Sequence, residues 1–232
     1  MKPFGLLLHF FQTGIITNFV EQSFDRTKEK EDMNNTRDYI IEKAFEQYLT
    51  NGYEGVSISV LQESMNIGRA TLYYHFSNKE ALFDEVINFY VTRVFKNFMG
   101  KIDRSSITIP DLIGIFTEMN SHIKQTILKA NIPNVKYSNY TGLIIHAYMH
   151  DQQFSEFMHN MLHDIYSAWK AEIQNSIQKG DIREDVDINI LASLFTGIKE
   201  GMDLGIKEES ILSQKSDEYC TNAHYLYNLI RR

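Results

Sequence analysis

Apolar residues recur at intervals of three and four along almost the whole chain, and no run alternates convincingly in the manner of a strand, so the pattern predicts an all-helical protein. Ile58, Leu61 and Met65 share one side of a short helix over Ser57 to Ser64, and Leu72 marks the inward face of a second helix from Gly68 to Tyr74. Between them Met65-Asn66-Ile67 must reverse the chain, and asparagine accepts the left-handed conformation better than any residue but glycine. Two short helices joined in this way form a helix-turn-helix. Leu82, Val86, Phe89, Tyr90 and Val94 then place a long helix over Asn78 to Lys101. After the polar break Arg104-Ser105-Ser106 and Pro110, further helices are expected at Asp111 to Asn131, Tyr140 to His150, Phe154 to Lys179, Asp187 to Ile206 and Ser210 to Ile230. Gly180 suits a helix stop and Asp187 a helix cap.

The helix-turn-helix carries its own chemistry. Such a motif offers the first half of its second helix to base edges in the major groove. Arg69 can reach guanine or phosphate and Thr71 a thymine methyl or phosphate, with Ala70 on the same short helix. Tyr73, Tyr74 and His75 can donate to phosphate oxygens, although the Tyr73 ring can equally pack. Ser77-Asn78-Lys79-Glu80 has the form of a capping box in which Ser77 starts the next helix and Glu80 reaches back. Lys79 in a first turn opposes the helix dipole, so phosphate contact is the better reason for it. Arg37 and Ser57 complete the set of candidate DNA contacts, and Phe76 reads as a core residue stapled to the following helix.

Ala44, Phe45, Tyr48, Gly52-Tyr53, Ser57-Ile58, Thr71-Leu72-Tyr73-Tyr74-His75-Phe76, Lys79-Glu80 and Leu82 are similar, in order and spacing, to the DNA-binding domain of TetR-type transcriptional regulators. The resemblance runs from about Asn35 to Tyr90. Asn66 stands where that family usually has glycine, Gly68 where a serine caps the recognition helix, and His75 where tyrosine is common. The run Gln178 to Asp187 also resembles the junction between the last two dimerisation helices of the family. The resemblance implies an N-terminal three-helix helix-turn-helix domain, a larger C-terminal helical domain for effector binding and dimerisation, and a cytoplasmic homodimer. Its expected activity is that of a repressor released from a palindromic, double-stranded DNA operator by a small hydrophobic effector. The expected division is residues 33–80 for the reader and 81–232 for the rest.

Composition changes this picture little. With 232 residues, 43% of them hydrophobic, the chain can bury a real core, and its one cysteine, Cys220, allows no internal disulfide. A net charge of −7 is compatible with DNA binding, because counterion release depends on local contacts, but it predicts modest non-specific affinity and reliance on a dimer. Residues 1–32 stand apart: the apolar run Phe4 to Phe11 after Lys2 imitates a signal peptide without a small-residue cleavage site. Translation from Met33, or an arm using Arg26, Lys28 and Lys30 in the minor groove, are the two readings of it. No nucleophile, base and oxyanion arrangement and no phosphate loop is present in the sequence, so neither an enzyme nor a cofactor is expected, and no membrane partner.

In the C-terminal half, Ser193, Gly197, Gly201 and Gly205 recur every fourth residue and make one smooth stripe. Glycine in a helix costs about 1 kcal/mol relative to alanine, and the close approach of another helix would offset it. The stripe is expected at a twofold interface, paired with the second half of Phe154 to Lys179. Phe116, Met119, Ile123, Tyr140, Ile144, Tyr148, Met158, Met161, Leu162, Ile165, Tyr166, Trp169 and Phe195 are candidates to line an apolar effector cavity, though most of such a set is ordinary core. His146 with His150 and His159 with His163 form two pairs at helical spacing that a metal sensor would use; individually hydrogen-bonded histidines are the simpler account. A DNA-bound interaction protein without a small ligand is the remaining alternative, and it would have a filled C-terminal domain.

Overall fold

The computed structural model describes residues 35–102, 107–203 and 215–232, with residues 199–203 and 215–218 given by their backbone alone. The extension at residues 1–32 and Gly205 lie outside the described residues.

The helix-turn-helix forms as its local signals require. Helix α1 covers 35–51, and α2, Ile58–Met65, starts on Ser57, whose hydroxyl accepts from the Val60 amide at 3.2 Å. Asn66 ends α2 in the left-handed region at φ 52°, which lets the amides of Asn66 and Ile67 donate to the Glu63 and Gln62 carbonyls. Helix α3, Arg69–His75, follows an extended Gly68 that supplies no side-chain cap. Leu72 is buried beneath α3 against a reader core that includes Ile41, Phe45, Tyr48 and Leu61.

The next helix departs from the sequence in two ways. It starts at Lys79 on Asn78, not on Ser77: the Asn78 side chain accepts from the Ala81 amide at 2.7 Å. Glu80, expected to reach back to Ser77, instead accepts from the Tyr53 hydroxyl at 3.1 Å. The expected single helix also changes winding partway, running as α4, Lys79–Ile87, then a π-helical segment, Asn88–Thr92, then α5, Arg93–Met99.

Helix α6, Ile109–Lys129, begins ahead of Pro110, which sits in its first turn where no amide is needed. Thr108 and Asp111 cap each other there. Helix α7, Tyr137–His150, starts about a turn earlier than the apolar pattern indicated, because the Lys136 amide donates to Asn139. Helix α8, Gln152–Lys179, is capped by Asp151 and stopped by Gly180 at φ 80°. Helix α9, Ile188–Asp203, starts on Asp187, whose carboxylate accepts from the Asn189 and Ile190 amides. Helix α10, Lys215–Ile230, packs along α6, and its end pairs with the α8–α9 loop through an Ile182–Arg231 bridge.

The regular structure among the described residues is thus helical apart from that bridge. Helix α9 lies along α8, and Trp169 of α8 stacks between Phe116 of α6 and Phe195 of α9, with centroids 5.8 and 4.5 Å away. No helix among the described residues is long and apolar enough to cross a membrane.

Candidate nucleic-acid interface

Because Leu72 faces inward, the opposite side of α3 turns to solvent. Arg69, Ala70, Tyr73 and Tyr74 are exposed there, Tyr74 by 68%, while Thr71 and His75 are half-buried at its edges. The Arg69 guanidinium lies 5.4 Å over the Tyr73 ring, so the side chain is stacked on the outer side of α3. The His75 imidazole is held below its usual range by burial and then by the nearby Arg37 charge. A neutral ring there can still donate one hydrogen bond to a phosphate.

The flanking candidates have structural work as well. Ser57 remains exposed but its hydroxyl caps α2. Arg37 pairs with Glu85 at 3.1 Å and lies 5.2 Å over the Phe76 ring, which ties α1 to α4. The Lys79 ammonium sits 3.8 Å above the Tyr53 ring beside the start of α4. Tyr39, not singled out by the sequence, reaches from α1 to the Met65 carbonyl at 3.4 Å, just ahead of the turn. Its position one turn before Lys43 gave no local signal, since the contact spans two helices.

Tyr53 joins the reader to the C-terminal helices. One ring face meets Lys79, and the ring also stacks with His146 of α7 at 4.2 Å, while Phe83 meets His146 edge-on at 5.4 Å. Burial, followed by the bond to Glu80, raises the Tyr53 phenol to about 12. His146 is thus committed to an aromatic cluster, with the His150 ring 4.5 Å away. His159 and His163 are exposed on α8, and among the described residues no three His, Cys, Asp or Glu side chains gather to hold a metal.

Phe116, Ile165 and Trp169 do converge, together with Leu162 and Phe195, around a void of about 20 Å³. Met119, Ile123 and Met161 are buried core, Ile144, Met158 and Tyr166 are partly buried, and Tyr148 is exposed. The Tyr140 hydroxyl is bonded to the Tyr90 carbonyl. A larger, open cleft of about 990 Å³ lies elsewhere, between α4, the π-helical segment and the start of α8, lined by Asp84, Glu85, Lys96, Asp151 and Phe157 among others. On α9, Ser193 and Gly197 face outward with Ile190 and Leu194, and a Cβ added at Gly197 would meet nothing within 4 Å.

Residues 40–86 match the family model described as bacterial regulatory proteins, tetR family. Over 189 residues the chain is 20% identical to the biofilm operon icaADBC HTH-type negative transcriptional regulator IcaR of Staphylococcus aureus, spanning 79% of this chain and 95% of that protein. The Staphylococcus epidermidis regulator of the same name is 31% identical over 65 residues, 26% of this chain and 35% of that one. Among solved structures, a TetR transcriptional regulator from Chloroflexus aurantiacus superposes with a TM-score of 0.59 at 18% identity, covering 87% of this chain and 98% of its own. A transcriptional regulator from Saccharomonospora viridis, in complex with choline, gives 0.60 at 15% identity over 86% and 99%. The exposed, uncrowded face of α3 on its Leu72 anchor, the turn at Asn66 and these matches agree: the chain is a DNA-binding transcriptional regulator whose residues 40–86 form a DNA-binding domain of the tetR family.

Proposed function

We propose that the protein is a cytoplasmic, non-enzymatic repressor that binds a palindromic operator as a homodimer and is released by a small, partly hydrophobic effector. The exposed Arg69, Ala70, Tyr73 and Tyr74 on α3 carry the DNA reading, since a short helix held by one buried leucine leaves its first turn free for a major groove. Repression is supported by the negative regulators of Staphylococcus to which the chain is similar. The solved neighbour bound to choline supports a small-molecule effector as the class of signal.

The dimer surface proposed here is the outward side of α9 and α10. Ile190, Leu194 and Gly197 of α9 and Tyr225 and Leu229 of α10 are exposed apolar or small residues on two neighbouring helices. The second half of α8 presents Lys170, Gln174 and Gln178 to solvent, so α10 replaces it as the partner of α9 in a four-helix bundle between copies. The effector site is centred on the Phe116, Trp169 and Phe195 rings, and its void of about 20 Å³ must widen to take anything larger than about one water.

Selection of genomic DNA fragments by the full chain, alongside Arg69→Ala, tests the reading. A shared palindrome recovered by the parent and lost by the variant is expected. No enrichment at low salt would reject the reader.

A further inference from the structure

The helix joining reader and C-terminal domain is interrupted at one place, and both domains touch it there. Across Asn88–Thr92 the winding loosens to π, with the Arg93 amide donating to the Asn88 carbonyl five residues back. A π turn costs stability relative to the α-helix and persists where neighbours hold it. Here the neighbours come from opposite directions. On one side the Tyr90 ring stacks on Phe45 of α1, centroids 3.7 Å apart and planes 12° from parallel. On the other, the buried Tyr140 of α7 donates its hydroxyl to the Tyr90 carbonyl at 2.9 Å. The Tyr140 ring also meets Phe45 edge-on at 6.5 Å. Three aromatic rings from reader, connector and C-terminal domain therefore close on a single residue of the π segment.

The geometry makes that residue a sensitive point. Moving a π bulge along a helix re-registers the residues it passes, and each step of register is about 100° of rotation and about 1.5 Å of rise. Such a step would carry the Tyr90 ring off Phe45 and turn α1, with the rest of the reader, relative to α6 through α8. A hydroxyl bonded to the Tyr90 carbonyl opposes it, because migration would break that bond in a buried site.

We infer that Tyr140 is a positioning residue for DNA binding: its hydroxyl pins the π-helical segment at Asn88–Thr92 and thereby sets the pose in which the C-terminal helices hold the reader. A displacement of α7 is then felt at α3 through Tyr140, Tyr90 and Phe45. The inference rests on the regulator reading above, and it adds the residue through which the two domains communicate.

Amide hydrogen exchange of the full chain tests it, comparing the parent with Tyr140→Phe and Tyr90→Phe. Loss of one hydrogen bond should speed exchange between Ile87 and Lys96 by roughly threefold to tenfold in Tyr140→Phe and leave the middle of α8 unchanged. Tyr90→Phe keeps both the ring and the carbonyl, so its exchange should match the parent. Unchanged exchange in Tyr140→Phe, a uniform rise over the whole molecule, or the same rise in both variants overturns the pinning. On an operator obtained by selection, Tyr140→Phe should also lower the ratio of specific to non-specific affinity by at least about fivefold, a change that a reader held in an unaltered pose would not show. Equal loss of both affinities would mean that the tyrosine serves folding alone. Failure to select any DNA would reject the regulator while leaving the exchange result to decide the pinning.

Discussion

Asn78 carries the start of α4, and the choice between it and Ser77 is made by a third residue. Both are good helix caps, but the Glu80 carboxylate is drawn to the Tyr53 hydroxyl while the Asn78 side chain takes the Ala81 amide. Asn78→Ala should therefore cost about 1 kcal/mol, whereas Ser77→Ala should stay within about 0.5 kcal/mol. Thermal unfolding of the two variants checks this, and equal losses would return the cap to Ser77. Asn66, Gly180 and Asp187 were legible from residue type alone, because a left-handed turn, a helix stop and a helix cap are each satisfied within a few residues. Tyr53 was legible only as part of a family pattern, since its partners Lys79, Glu80 and His146 come from two other helices.

At the scale of elements, the junction of reader and α7 should respond to acid. Burial is the main cause that lowers the His146 pKa from its ordinary 6.5; His150 and Lys79 add to this and Glu54 opposes it. The folded protein therefore favours the neutral ring more than the unfolded chain does. This contribution to stability is present above the ordinary value and is lost as pH falls through the lower folded value. His75, lowered by burial and by Arg37, acts with the same sign. His146→Phe keeps a flat ring against Tyr53 and cannot titrate. Its unfolding temperature should fall less steeply than that of the parent between about pH 7 and pH 5.5, a window that begins just above the unperturbed histidine value and runs below it. Parallel slopes would show that His146 plays no part. The interruption of the connecting helix belongs to this scale too, and the apolar spacing of Val86, Phe89, Tyr90 and Val94 did not reveal it. Helical spacing is compatible with either winding over so short a stretch, and only the contacts of Phe45 and Tyr140 favour one.

For the molecule as a whole, the open space over Gly197 makes the proposed dimer testable without harm to the subunit. A Cβ there meets nothing within 4 Å, the site is exposed, and leucine gains helix propensity, so Gly197→Leu should fold at least as well as the parent. Sedimentation should show it shifted from dimer to monomer, with operator affinity lost alongside. A variant that remains dimeric with unchanged affinity would place the interface elsewhere. The glycine stripe itself was visible in the sequence, but its partner was not. The apolar spacing of α8 suggested that helix, and the exposed Tyr225 and Leu229 make α10 the partner we propose.

The chain's own residues thus determined the helical class, the helix-turn-helix and which face of α3 turns to solvent. Each follows from periodicity, capping or a turn, and those are forces between near neighbours in sequence. Tertiary structure alone decided that Glu80 serves Tyr53, that His146 stacks on Tyr53, that Phe116, Leu162, Ile165, Trp169 and Phe195 close around only about 20 Å³, and that Tyr140 bonds to the connecting helix. These depend on which buried side chains meet across helices far apart in the chain, and packing selects among many such meetings that the same apolar pattern permits.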